Sequence, residues 1–429
     1  MKITLRPALR PTVRRIAAPI TALVLAAALS SCGGGDSGSS DAKKSVTLWM
    51  YPVVADQATS DTYWKKVETD FEAANSGIDL KLEMQPWANR EEKVAAAFSG
   101  KKGPDVLLMI PDQIPQYVKS GSLQPVDDVV TPEKDKFLPA AVPGLTVEGK
   151  VYGVPIYHTV TTTMYNKTVL TKAGISKPPE TWDELKAAAP KLKAAGFSTL
   201  DYSASPEATL NLNYYPLLWQ AGGKVFADDG KSVTFNQAPG LEALTFLKSL
   251  WDEGAIPKTA LTAGNVVADS PFGKGQVAMA MTSVPADVAT VSKTWGAANV
   301  EVGTPLTGKK QVGYGIPGGL VLNAASGNTD GAKKFLSFMM QPTQLDGLSK
   351  ASGFYSPRND AKSESTDPTV AKFHDALQYA VPGEANPVAR QVMSFLSTEI
   401  QAVLTGKKQP QQALDDAAKQ ANDLLSRQR

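Results

Sequence analysis

The chain has 429 residues, with 44 Lys and Arg against 42 Asp and Glu, two His and one Cys. Five of the positive charges fall in the first 31 residues, where no side chain is acidic; without that segment the balance is 39 against 42, a net of −3. This excludes a dominant electrostatic attraction to nucleic acid, a lone cysteine excludes an intramolecular disulfide, and so poor a supply of His and Cys leaves no ligand set for a zinc centre.

Lys2, Arg6, Arg10, Arg14 and Arg15 precede an apolar run over residues 16–29, and Leu29-Ser30-Ser31-Cys32 follows. The run is too short to span a bilayer and is basic only on its leading side, which is the pattern of a signal peptide, residues 1–31. Its end resembles a bacterial lipobox, so Cys32 is expected to carry lipid and to become the mature N-terminus. Residues 32–44 are rich in Gly, Ser and Asp and read as a flexible tether. Gly35-Asp36-Ser37-Gly38 looks like a protease nucleophile loop, but a tether offers neither a rigid oxyanion hole nor an imidazole.

Beyond the tether, strand and helix patterns alternate. Val46, Leu48 and Met50 alternate through a first strand that ends at Tyr51-Pro52. Trp64, Val67 and Phe71 have helical spacing, and Gly77 ends that helix. Ile78, Leu80, Leu82 and Met84 alternate again and end at Pro86-Trp87; Asn89 can then cap a helix carrying Val94, Ala97 and Phe98. The central stretch follows: Gly103-Pro104-Asp105 leads into the apolar run Val106-Leu107-Leu108-Met109-Ile110, closed by Pro111-Asp112-Gln113. So short an apolar run suits a strand buried on both faces, and the β-α-β-α-β order implies right-handed crossovers and a parallel sheet. Ligands of open α/β sheets collect beyond the carboxyl ends of strands, where this chain places Tyr51, Trp87, Asp112 and Gln113. The competing reading of Asp112 is an ordinary helix N-cap.

Further along, Thr181 and Glu184 form a capping box, Gly222-Gly223 ends a helix, and Asp229-Gly230 can turn a hairpin. Leu241, Leu244, Leu247, Leu250 and Trp251 make a helical stripe, and Leu414, Ala418, Ala421 and Leu425 make another near the C-terminus.

The ordered set Gly103-Pro104-Asp105, Gly121-Ser122-Leu123-Gln124-Pro125, Gly149-Lys150-Val151-Tyr152-Gly153-Val154-Pro155, Met164-Tyr165-Asn166-Lys167, Pro179-Glu180-Thr181-Trp182, Leu218-Trp219-Gln220-Ala221-Gly222-Gly223 and Gly273-Lys274-Gly275-Gln276-Val277 covers nearly the whole mature chain. It resembles the extracellular solute-binding proteins of carbohydrate ABC importers, the group that includes the maltose-binding protein. The resemblance implies an α/β, two-lobed periplasmic-binding-protein-like (type II) fold with a hinge crossed several times, near residues 157–160, 303–306 and 353–357. Lobe one would hold residues 45–157 plus 304–354, and lobe two residues 158–303 plus 355–429. It further implies a lipid-anchored monomer on the extracytoplasmic face of a bacterial membrane, with a saccharide as ligand, the permease subunits as partners and no cofactor. Carried over by position, the ligand contacts would be Tyr51, Asp112, Gln113, His158, Thr159, Trp219, Tyr314, Tyr355 and Arg358, to which Trp87 is added from its place at a strand end. Pro285 stands where the resemblance would have a stacking Trp, so the fold and class carry over better than the sugar does.

Two other functions remain in view. A glycerol-3-phosphate or glycerophosphodiester binder would share the fold, but phosphate calls for fixed donors such as Arg. The mature chain has only Arg90, Arg358, Arg390, Arg427 and Arg429. A secreted carbohydrate-active enzyme would need two carboxylates facing each other across a bond, whereas Asp127-Asp128 and Asp228-Asp229 are adjacent pairs that point apart in extended backbone.

Overall fold

A computed structural model describes residues 44–138, 141–264, 266–361 and 367–427. The signal peptide, Cys32 and nearly all of the tether lie outside the described residues.

The first lobe is built on a sheet in the order Ile78–Met84, Lys44–Met50, Val106–Met109, Pro317–Asn323, with Leu123–Gln124 and Gly153–His158 also paired to the last of these. The first three strands run parallel, as the β-α-β-α-β pattern implies. Pro317–Asn323 is antiparallel to each of its neighbours, a late return into the sheet that local periodicity does not reveal. All four residues of Val106–Met109 are buried, for a reason that follows from the two-residue repeat of a strand. Val106 and Leu108 pack with Val46, Leu48, Trp64, Phe71 and Phe335 on one face, while Leu107 and Met109 pack with Val94, Ile114, Tyr117 and Leu145 on the other. Helices Gln57–Ala74 and Thr329–Met339 cover the first face. In Pro317–Asn323, Gly318 lies where a Cβ would come within 2.1 Å of the Tyr157 ring, so only glycine lets these strands approach.

The second lobe has a four-stranded sheet, Val300–Val302, Thr162–Asn166, Val277–Ser283 and Ser198–Asp201. Its larger core gathers Leu185, Leu192, Leu217, Phe235, Leu244 and Leu247, and the C-terminal helices Ala389–Leu404 and Pro410–Ser426 join it through Leu396, Ile400, Leu414 and Ala418. The capping box at Thr181 and Glu184 opens helix Trp182–Ala194, and the Asp229-Gly230 turn brings Phe226 opposite Val233. Asn89 does stand at the start of helix Arg90–Ser99, but in the left-handed region (φ 53°) and without a side-chain cap bond; Glu91 and Glu92 supply the negative charge that a helix N-terminus favours.

Three backbone passages connect the two sheets and are laced together. Thr159 and Ile316 exchange N–H···O bonds of 2.9 and 3.1 Å, the Thr161 N–H donates to the Tyr314 carbonyl at 2.6 Å, and His158 and Tyr355 exchange bonds of 2.7 and 2.9 Å. Residues 303–311 still bond to the second lobe, through Gly303 to Thr163, Thr307 to Glu180 and Lys310 to Gln220, so the second passage lies at 313–316.

Candidate ligand-binding site between the lobes

Three strand ends of the first lobe open toward the second. Beyond Lys44–Met50, Tyr51 is buried and stacks on Trp87, the residue beyond the neighbouring strand, with ring centroids 4.8 Å apart and planes at 19°. Trp87 is 41% exposed, which leaves much of the indole open to a ligand. The Arg90 guanidinium sits 5.4 Å from the Tyr51 ring and 5.3 Å from that of Trp87, in range for cation–π attraction. Burial pushes the Tyr51 phenol up to about 12, the Arg90 charge offsetting part of that rise.

Asp112 follows the central strand and is 2% exposed. It does not cap the helix that starts there: Ile114–Lys119 has Gln113 at its N-cap position and no side-chain cap bond. The Asp112 carboxylate instead reaches the second lobe, accepting from Asn211 Nδ2 at 2.6 Å and from Arg390 Nη2 at 2.9 Å. Gln113 stays within the first lobe, accepting from the Ile110 N–H at 3.2 Å and donating to Glu91 Oε1 at 2.7 Å. That same Glu91 oxygen accepts from Arg90 Nη2 at 3.1 Å and lies 3.9 Å from Arg390 Nη1. Burial alone would raise the Glu91 pKa, but the Arg390 and Arg90 charges outweigh it and hold the carboxyl below its usual range. Burial likewise disfavours the Arg390 charge, and the Asp112 and Glu91 carboxylates more than restore it.

The network continues into the second lobe. Asn211, in the turn Leu210–Leu212, also donates to the Tyr314 hydroxyl at 3.4 Å, and Tyr314 lies near-parallel to Trp219 with centroids 6.3 Å apart. The Trp219 indole bonds to Glu384, whose carboxyl burial raises to about 6 despite bonds from Val225 and Trp219 that favour the anion.

The structure thus brings Tyr51, Trp87, Asp112, Gln113, Trp219 and Tyr314 around one interlobe cluster. His158 and Thr159 lie on the first passage; Thr159 Oγ1 is buried with no hydrogen-bond partner among the described residues, and burial lowers the His158 imidazole pKa, a backbone bond to Thr159 offsetting part of that fall. Tyr355 turns into the second lobe, its ring edge-on to His374 and its hydroxyl 3.5 Å from the Val370 carbonyl. Arg358 is not in the cluster. Its guanidinium donates to both Asp360 oxygens at 2.7 Å, to Glu133 at 2.6 Å and to the Met340 carbonyl at 3.2 Å.

Sequence reasoning did not assign Arg90, Glu91, Asn211, Glu384 or Arg390 to the site. One signal was available: arginine is scarce after residue 31, and Arg90, Arg358 and Arg390 all turn out to be ion-paired with little exposure. Among the described residues no cluster of His, Cys, Asp and Glu could hold a metal ion.

Residues 55–345 match the family model for the bacterial extracellular solute-binding proteins. A putative binding protein of Brucella abortus is 28% identical, the match covering 86% of this chain and 91% of the relative. The diacetylchitobiose binding protein of Streptomyces coelicolor is 26% identical over 95% of this chain and 96% of its own. Among solved structures, an ABC transporter solute binding protein from Thermotoga lettingae, bound with α-D-tagatose, superimposes with a TM-score of 0.80 at 24% identity, covering 89% of this chain and all of that one. The match to the family model spans well over half of the sequence, and the chain belongs to the bacterial extracellular solute-binding protein family.

Proposed function

We propose that the protein captures a neutral saccharide between its lobes and delivers it to the membrane-spanning subunits of an ABC importer, working as a monomer tethered through lipid on Cys32 to the extracytoplasmic face of a bacterial membrane. The observation that carries this reading is the meeting of Asp112, from the end of a first-lobe strand, with Asn211 and Arg390 of the second lobe. A sugar offers C–H faces to aromatic rings and hydroxyls to paired donors and acceptors. Tyr51, Trp87, Trp219 and Tyr314 supply the first kind of surface, and Asp112, Gln113, Glu91, Asn211 and Arg390 the second, with His158 and Thr159 contributing from the hinge. Tyr355 and Arg358 are left out of this set because their polar atoms face groups within the lobes. The relative named for diacetylchitobiose and the neighbour bound with tagatose support a carbohydrate ligand. Family members bind a solute and do not transform it. The pairing of Arg90 and Arg390 with Glu91 and Asp112 weighs against glycerol phosphate, which needs free guanidinium groups.

The test is a thermal-shift screen over mono- and oligosaccharides and glycerol phosphates, with chromatography of the mixtures. A saccharide should raise the unfolding temperature reversibly and be recovered unchanged, since a ligand that binds only the folded state stabilises it. Turnover, or a response to glycerol phosphates alone, would sink the proposal. For the anchor, Cys32→Ala should release the protein from membranes or leave the precursor uncleaved; a cleaved variant that stays on the membrane would remove lipidation from the account.

A further inference from the structure

We infer that the second-lobe segment from Ala380 to Arg390 is a latch that draws the lobes together through the protein's own side chains, an inference that rests on reading the division between the lobes as one that opens. At one end the segment is tied to the hinge. Ala380 and Val381 pair in parallel with Gly313 and Tyr314 of the second passage, and the Gly315 N–H donates to the Val381 carbonyl at 3.0 Å. Between its ends it is fixed to the second lobe: the Glu384 carboxyl accepts from the Trp219 indole, and Asn386 Nδ2 donates to the Gly230 carbonyl at 3.0 Å. At the other end is Arg390, in the first turn of helix Ala389–Leu404.

A cation in the first turn of a helix meets the positive end of the helix dipole, so the helix itself does not call for Arg390. Its ion-pair partners among the described residues are Asp112 at 2.9 Å and Glu91 at 3.9 Å, and both come from the first lobe. Asn211, also of the second lobe, donates to the other Asp112 oxygen at 2.6 Å. Gly383 lies against this junction, where a Cβ would come 3.2 Å from the Asn211 amide and 3.4 Å from Asp112 Oδ2. Both Asp112 oxygens are thus taken up by the opposite lobe, and the side chain is 1% exposed. The closing contact needs no third molecule. Desolvating the two charges offsets much of their attraction, so the latch biases the lobes toward closure and leaves a share of the molecules open. Removing one partner is more costly to the closed form, which would then bury a lone charge that opening returns to water.

The test is small-angle X-ray scattering of the full mature protein without saccharide, run on wild type, Arg390→Gln and Lys293→Ala. Lys293 belongs to the exposed interlobe pair with Asp56, whose loss leaves no buried charge. Arg390→Gln should have a larger radius of gyration than wild type, and Lys293→Ala should keep the wild-type radius. An equal radius in wild type and Arg390→Gln, or the same rise in Lys293→Ala, would overturn the inference. Should Arg390→Gln fail to fold, Asp112→Asn removes the other charge and must show the same rise. A second series with saccharide at saturation separates this from the proposed function. A wild-type radius that falls with sugar, beside equal sugar-free radii in wild type and Arg390→Gln, removes the latch alone. If wild type binds no saccharide, the proposed function falls, while the sugar-free comparison still decides the latch.

Discussion

Arg358 and Arg390 are the same chemistry in two settings. Each is held between two carboxylates, with side-chain exposures of 1% and 13%. Arg358 joins Glu133, Met340 and Asp360, with its guanidinium 5.3 Å from the Phe137 ring. Glu133, Phe137 and Met340 are first-lobe residues, so residues 358–360 pack on the first lobe and not on the second, where the expected boundary at 355 had put them. Arg390 opens a helix of the second lobe and pairs with Asp112 and Glu91 of the first. A buried ion pair within one rigid body serves the fold, because it is never unmade while the protein is native. Under the proposed function the lobes part to admit ligand, so the Arg390 pair would be broken and remade and its energy would enter the equilibrium between open and closed lobes.

The largest effect is expected at Arg358. Arg358→Leu leaves Glu133 and Asp360 without their partner, and because those carboxylates are 27% and 36% exposed the loss should sit at or below the usual cost of breaking a buried pair, about 2–4 kcal/mol in urea unfolding, with sugar affinity kept. Lost affinity with an unchanged midpoint would reverse the roles of the two arginines. Next comes Asp112→Ala, which removes the acceptor shared by Asn211 and Arg390. A charge-assisted bond is worth about 1.5–3 kcal/mol, so saccharide affinity should fall roughly ten- to hundredfold by calorimetry. No cap bond is lost with it, and helix Ile114–Lys119 should keep its stability. Unaltered affinity in this variant would take Asp112 out of the ligand site.

A smaller, pH-dependent effect is expected at Glu384, whose carboxyl rises from 4.5 to about 6 on folding. Between those values the folded state holds a proton that the unfolded chain has released, so stability falls as pH rises through the interval and stays lower above it. Glu384→Gln should therefore be nearly neutral below the unfolded pKa and should stabilise by about 1 kcal/mol near pH 7. Melting temperatures of both proteins across this range check the sign, and a Glu384→Gln penalty at neutral pH would contradict it. The smallest effect belongs to the outer interlobe pair, Lys293 with Asp56 at 3.5 Å, whose side chains are 71% and 50% exposed. Lys293→Ala should change sugar affinity by less than about fivefold, because exposed pairs contribute little and are screened by salt. A change as large as that of Asp112→Ala would mean that closure is governed at the rim.

What could be read in the sequence follows the range of the forces involved. Val46, Leu48 and Met50, or Trp64, Val67 and Phe71, declare strand and helix because burial repeats with the local period, and each of these side chains is buried. The capping box at Thr181 is legible because its partners are three residues apart. The positions of Tyr51, Trp87 and Asp112 follow from the rule that strand ends face the ligand. Arg390 carries no such mark: it meets Asp112 across 278 residues, and nothing near it in the chain distinguishes it from a surface arginine. The return of Pro317–Asn323 into the first sheet is equally silent, since a buried antiparallel strand and a buried parallel one read alike. Arg358 shows the reverse failure, where a position matching a binding loop holds a side chain already committed to Glu133 and Asp360.

The central claim is that a saccharide is held by both lobes at once and draws them together. Small-angle X-ray scattering of the wild-type protein, without ligand and with a saccharide at saturation, measures this directly. The radius of gyration should fall when the sugar is added. An unchanged radius at saturating sugar would contradict it, because a ligand with no preference for the closed arrangement leaves the equilibrium between the lobes where it was.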